Sequence, residues 1–190
     1  MMSAIDIFMD PDSTDRLHLK GFNWLRSKEI DQSAITDPIC VRTTRALLDG
    51  RGGYLPCPIG DFAFLFPVNL RDEIEDLEVI DCVAWQPRSG RIATHLGVSA
   101  LLGEGQIGRC GIGTHGRALP VWRDPVGWLK AERCGVVIVD DTRAGHRLAG
   151  LTLQAEDELH RRELQMRLRL PSPVILSAKA TSRSLLRKAA

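Results

Sequence analysis

Apolar positions in this chain come in short clusters, broken by glycine, proline and charge, and few keep one period for long. Residues 62–66 read Phe-Ala-Phe-Leu-Phe and are closed by Pro67, which is too short for a helix and predicts a buried strand. Residues 79–85, Val-Ile-Asp-Cys-Val-Ala-Trp, predict a second strand. The Gln-Pro-Arg-Ser-Gly of 86–90 is turn chemistry, so 91–95 is expected to return as a hairpin partner. A shorter strand is expected over 118–122, and the β-branched run 136–139, Val-Val-Ile-Val, reads as the central strand of a sheet.

Helical segments lie between these. Residues 13–26 read as a helix with Leu17, Leu19, Phe22 and Leu25 apolar at an imperfect period, with Ser13 or Thr14 as cap and Gly21 as a weak point. Asp37-Pro38 is an N-cap followed by proline at the first helical position, which predicts a helix to Leu48 with Gly50 just past its end. Residues 98–102 start like a helix and meet Gly103, Gly105 and Gly108. Asp124-Pro125 repeats the helix opening, with Cys134-Gly135 as its stop. Residues 156–168 carry acids first and arginines last, matching a helix dipole. Asp157/Arg161, Glu158/Arg162 and Glu163/Arg167 stand at i,i+4 spacing. Residues 164–170 alternate like a strand, but none is β-branched, which favours helix to about Leu168. Val174-Ile175-Leu176 reads as a last strand after Pro171 and Pro173.

Helix and strand signals thus interleave, and the expected class is α/β or α+β: one domain over 1–176, with a small mixed sheet packed by several short helices. Residues 177–190 read as a basic, loosely held tail. At 190 residues and 44% hydrophobic, the chain can bury a core without disulfide staples.

Net charge is only +1, but the charge is unevenly spread. Residues 71–81 hold six acids against Arg71, while 159–190 hold eight bases against Glu163 alone. Arg161, Arg162 and Arg167 have helical acids to pair with. Arg169, Lys179, Arg183, Arg187 and Lys188 remain as candidate nucleic-acid contacts. The five cysteines, Cys40, Cys57, Cys82, Cys110 and Cys134, form no CxxC pair and predict reduced, buried, structural thiols. The N-terminus has acids where a signal peptide needs bases, and apolar runs reach only about five residues, so the expected location is the cytoplasm, without membrane contact.

Chemistry-bearing patterns are few. Residues 103–108 match GxGxxG, but the helix start expected at 98–102 precedes them and further glycines follow; a flexible turn is the better reading than a dinucleotide site. The run ending at Asp140-Asp141 resembles a Walker B strand, yet no GxxxxGK[ST] loop exists to go with it. With Asp81 as a third acid, the pair offers a Mg²⁺ site of nuclease or topoisomerase/primase type; the plainer reading is that Asp140 and Asp141 turn the chain into Thr142. Cys110, His115, His95 and Cys134 have poor zinc spacing, and His146 beside Asp141 has no marked nucleophile. Trp24, Trp85, Trp122 and Trp128 are expected core anchors.

The motif order Asp81-Cys-Val-Ala-Trp-Gln-Pro, His95-Leu-Gly-Val-Ser-Ala-Leu-Leu-Gly and Asp124-Pro-Val-Gly-Trp-Leu resembles uncharacterised bacterial prophage and mobile-element proteins encoded near primase or helicase genes. The resemblance spans 78–141 and carries over no catalytic residue, but it implies a DNA-related context. The leading expectation is a non-enzymatic accessory or binding protein, with nucleic acid met through the basic C-terminal segment and no cofactor. The alternatives are a divalent-metal nuclease or nucleotidyl-transfer enzyme using Asp140, Asp141 and Asp81 with Mg²⁺, and an adaptor with protein partners.

Overall fold

The computed structural model describes residues 15–36, 40–69, 79–107 and 118–168. In order along the chain these form helices α1 (Asp15–Ser27) and α2 (Gln32–Thr36), then strands β1 (Arg42–Leu48), β2 (Tyr54–Pro56), β3 (Asp61–Asn69), β4 (Val79–Trp85), β5 (Ile92–Thr94) and β6 (Leu101–Leu102). After them come β7 (Leu119–Trp122), α3 (Pro125–Lys130), β8 (Val136–Ile138), α4 (Asp141–Arg147), β9 (Leu153–Gln154) and α5 (Glu158–Arg167). The mixed α and β content expected from the sequence is present, divided between two sheets. None of the helices is long and apolar enough to cross a membrane, among the described residues.

The first sheet is antiparallel, in the order β2-β1-β3-β4-β5. It curls on itself: Gly53 bridges Thr94, and the Thr94 N–H donates to Gly52 O at 2.8 Å, so β5 returns to the start of β2. The inside of this barrel holds Ala46, Tyr54, Ala63, Leu65, Cys82, Ala84 and Ala93, all buried. Five strands enclose little space, and mostly small residues fill it.

The outer face carries Phe64, Phe66, Val83 and Trp85. Helix α1 lies there through Leu25, with Phe22 and Trp24 beside it. Gly21, a weak point for helix propensity, is what lets α1 approach β1; a methyl at that position would overlap Thr43 Cγ2.

The second sheet runs β6-β8-β7-β9, with β7 parallel to β8 and to β9, and β6 antiparallel to β8. Helix α3 connects β7 to β8, and α4 connects β8 to β9. Asp124 caps α3 by accepting from the Val126 and Gly127 N–H groups, with Pro125 opening the helix as expected. Strand β8 is central and buried on both faces. Val137 joins Phe64, Trp85, Trp128 and Leu129 in the core shared with the barrel, while Val136 and Ile138 join Leu119, Val121, Ala144, Leu148 and Leu164 on the far side.

Several expectations change. The helix predicted up to Leu48 is strand β1 over Arg42–Leu48, in register with β3 from Arg42↔Leu65 to Ala46↔Asp61; Asp37 and Pro38 lie outside the described residues. Ladder pairing with β2 and the burial of Ala46 override the helix preference of Ala46-Leu47-Leu48. The start expected at 98–102 is the short strand β6, not a helix. Helix α3 stops at Lys130, before Cys134, because Glu132 and Arg133 take left-handed backbone (φ 52° and 60°). That turn is pinned by the buried Arg133, whose Nε donates to Ala34 O at 2.8 Å and Nη2 to Ile35 O at 3.3 Å. Residues 158–167 are helical, so the strand-like alternation there is not used. Cys82 is buried, but Cys40 and Cys134 are exposed. The acids at 72–78, Cys110, His115, Gly108, the strand expected at 174–176 and the tail at 177–190 lie outside the described residues.

Candidate functional site

Asp81 sits within a buried apolar strand, and a lone acid there requires donors. Its Oδ1 accepts the N–H groups of Cys82, His95 and Leu96 at 2.8, 3.1 and 2.9 Å, and its Oδ2 those of Val98 and Ser99 at 2.8 and 3.0 Å. A carboxylate offers about four lone-pair sites, so these five donors saturate it. The side chain is fully buried. Asp81 therefore fixes the 95–99 loop that carries the chain from the barrel into the second sheet.

The same loop is gripped from the other side. Arg143, on α4, donates through Nη1 to Gly97 O and to Val98 O, and through Nη2 to Ser99 O. Its Nε donates to Asp140 Oδ2 at 2.9 Å, while its backbone N–H donates to Asp140 Oδ1 at 3.0 Å. Asp140 is thus the N-cap of α4 and the anchor of the loop's arginine. Burial opposes the charge on Asp140, but the Arg143 N–H and guanidinium outweigh it and hold the carboxyl below its ordinary range. Asp141 turns elsewhere: its Oδ1 accepts from Arg167 Nη2 at 2.7 Å and Nε at 3.0 Å, tying α4 to the end of α5. Asp81 and Asp140 hold opposite sides of one loop, and Asp141 takes no part in it. Among the described residues no group of three or more metal-ligating side chains converges.

The three arginines expected to pair along α5 are engaged, with partly different partners. Glu158 holds Arg161 and Arg162, whereas Arg167 reaches Asp141. Asp157 and Glu163 serve Arg123, which follows β7. Arg123 donates to Asp157 Oδ2 at 2.7 Å and Oδ1 at 2.8 Å, to Glu156 Oε2 at 3.1 Å and to Glu163 Oε2 at 3.3 Å. Open α/β sheets receive ligands between the carboxyl ends of strands whose connections leave in opposite directions. Here that place lies between β7 and β9, and this ion-pair cluster fills it.

No family model, no curated protein and no solved structure matches the chain.

An open cleft of about 230 Å³ lies where the barrel seam meets the carboxyl end of β8. Arg51, Gly52, Gly53 and Thr94 line it from the seam, Gly97 from the connecting loop, and Val139, Asp140 and Arg143 from the second sheet. The sequence marked Asp140 here but neither Arg51 nor Arg143. Beside Asp140, the signal for this region is Asp81, an acid inside an apolar strand.

The remaining candidates separate from the cleft. The GxGxxG run places Gly103 in left-handed backbone against Gly135 O and the Trp128 ring, ahead of a three-residue 3-10 turn at Glu104–Gln106. That is close packing in a turn. His95 lies against the Tyr54 ring, with centroids 5.5 Å apart. His146 is exposed on α4. Burial pushes the Cys82 thiol up to about 12, with the Asp81 charge adding to the effect, so Cys82 stays protonated and inert as a nucleophile. Arg169, Lys179, Arg183, Arg187 and Lys188 lie outside the described residues.

Proposed function

We propose that this protein is a non-enzymatic accessory or binding protein that works with nucleic acid, in DNA replication or mobile-element biology. The observation that carries the reading is the engagement of all three candidate carboxylates within the fold. Asp81 is saturated by backbone amides, Asp140 caps α4 and holds Arg143, and Asp141 pairs with Arg167. A metal-dependent nuclease would need those oxygens turned toward one ion.

Charge distribution supports the choice of contact surface. Residues 159–190 carry eight bases and one acid, or +7, so the other 158 residues carry −6 of the chain's +1. A body of that net sign gives a duplex no long-range attraction, which falls to the basic segment. With Arg161, Arg162 and Arg167 engaged by acids, the contacts are Arg169, Lys179, Arg183, Arg187 and Lys188. Five such contacts give duplex DNA a log–log salt slope no steeper than roughly −4.5, with little sequence preference. Anisotropy of a labelled duplex, titrated at several salt concentrations, tests this. The full chain binds at low salt with that slope, and replacing the five bases by Gln removes binding. No binding by the full chain at low salt, or equal binding by the Gln variant, overturns the reading.

A further inference from the structure

We propose that the cleft between the barrel seam and the carboxyl end of β8 is a phosphate-binding site, with Arg51 and the Gly52 and Gly97 amides as its donors. The inference concerns the body of the molecule and does not rest on the basic C-terminal segment.

Two loops face each other across the cleft, and each leaves one backbone amide unused. In the first, Asp49 Oδ1 takes the N–H of Arg51 at 2.7 Å and that of Gly53 at 2.9 Å, and passes over Gly52 between them. In the second, Asp81 takes the N–H groups of His95, Leu96, Val98 and Ser99, and passes over Gly97. Each loop is thus held rigid by a carboxylate that leaves one amide over. In both loops that amide belongs to a glycine in left-handed backbone, φ 93° at Gly52 and 69° at Gly97. A Cβ built on either glycine would meet nothing within 4 Å, so the backbone is open to close approach. Both glycines line the cleft.

Charge points the same way. Among the described residues the Arg51 guanidinium makes no hydrogen bond and no ion pair, and its side chain is exposed beside the cleft. Arg143 and Asp140, also lining it, neutralise each other at 2.9 Å. Among the lining side chains one net positive charge remains, from Arg51, with the Asp49 carboxylate behind it close enough to feel that charge. A tetrahedral oxyanion suits this set, because it accepts from backbone amides on two sides while a guanidinium fork takes another pair of oxygens. A volume of about 230 Å³ is below that of drug-sized pockets, and admits a phosphate with part of a sugar.

The test is an amide NMR titration of the full chain with inorganic phosphate, adenosine 5′-monophosphate and adenosine. The Gly52 and Gly97 amides shift and saturate with phosphate and with the monophosphate, and stay still with adenosine. Arg51→Gln weakens both titrations by about tenfold or more, and its otherwise unchanged spectrum shows that the fold is intact. A short oligodeoxynucleotide that competes with the monophosphate at these two amides assigns the phosphate to a nucleic-acid backbone; saturation by the monophosphate alone assigns it to a free nucleotide. Either outcome leaves the site standing, and the second does so even where duplex binding fails. Shifts that never saturate, or an Arg51→Gln variant that titrates like the parent, overturn the proposal.

Discussion

Asp81→Asn replaces one oxygen of the carboxylate by an NH₂ group and changes almost nothing in size. The amide oxygen is best kept where three donors converge, at Cys82, His95 and Leu96. The NH₂ then faces the Val98 and Ser99 N–H groups, donor against donor. Two hydrogen bonds are lost and two amides are left without acceptors, at roughly 1–3 kcal/mol each. The three that remain lose their charge assistance, which is about half their strength. A total of about 4 kcal/mol follows, a large part of the roughly 5–15 kcal/mol that holds a domain together. Urea denaturation followed by tryptophan fluorescence reads it: with a slope near 2 kcal/mol/M, the midpoint falls by about 2 M. Hydrogen exchange locates the effect, with Val98 and Ser99 losing protection before His95 and Leu96. A midpoint within roughly 0.5 M of the parent, at unchanged slope, would refute the claim that Asp81 organises the 95–99 loop.

Ile138→Ala removes a buried side chain from the central strand and costs about 2–5 kcal/mol; a variant that unfolds no earlier than the parent in urea would make β8 peripheral. The side chain of Arg123, and then the His160 N–H, hold the Asp157 carboxyl well below the usual carboxylate range. Its stabilising contribution is therefore complete above the unfolded value of about 3.9 and disappears as pH falls through the lower folded one. Arg123→Gln flattens that acid limb of the urea midpoint–pH curve, and an unchanged limb counts against the ion-pair cluster. Thiol reagent on the folded chain modifies Cys40 and Cys134 first and spares Cys82, whereas in denaturant all five cysteines react; early loss of Cys82 would contradict the barrel interior.

Much of the secondary structure was legible because local chemistry and burial agree. The β-branched run at 136–139, the aromatic run at 62–66 and the Asp124-Pro125 cap each state their element outright, and each is found. Strand β1 was not legible. Ala46, Leu47 and Leu48 prefer helix, and their strand conformation depends on β2 pairing with all three and on β3 lying along Arg42 to Ala46. Barrel closure is likewise invisible locally, since it joins Gly53 to Thr94. Helix α4 has only seven residues, one of them Gly145, and no apolar period to announce it.

The site was legible in its residues but not in their roles. Asp81 and Asp140 drew attention as acids beside apolar strands. Their actual partners, backbone amides of one loop and an arginine that grips its carbonyls, are set by how the two sheets meet. Arg51 and the paired glycines carried no signal, because leftover amides become countable only once the loops are built.

Asp81, Asp140 and Asp141 each hold a part of the fold together, and we propose that they do this in place of holding a catalytic metal. Isothermal titration of the full chain with Mg²⁺ and with Mn²⁺, alongside thermal unfolding at millimolar metal, tests it most directly. Metal that binds the native state must raise its melting temperature. No saturable heat and no rise in melting temperature are expected with either ion. Stoichiometric binding with a clear rise, abolished by Asp140→Asn together with Asp141→Asn, would contradict it and return the chain to the metal-dependent enzymes.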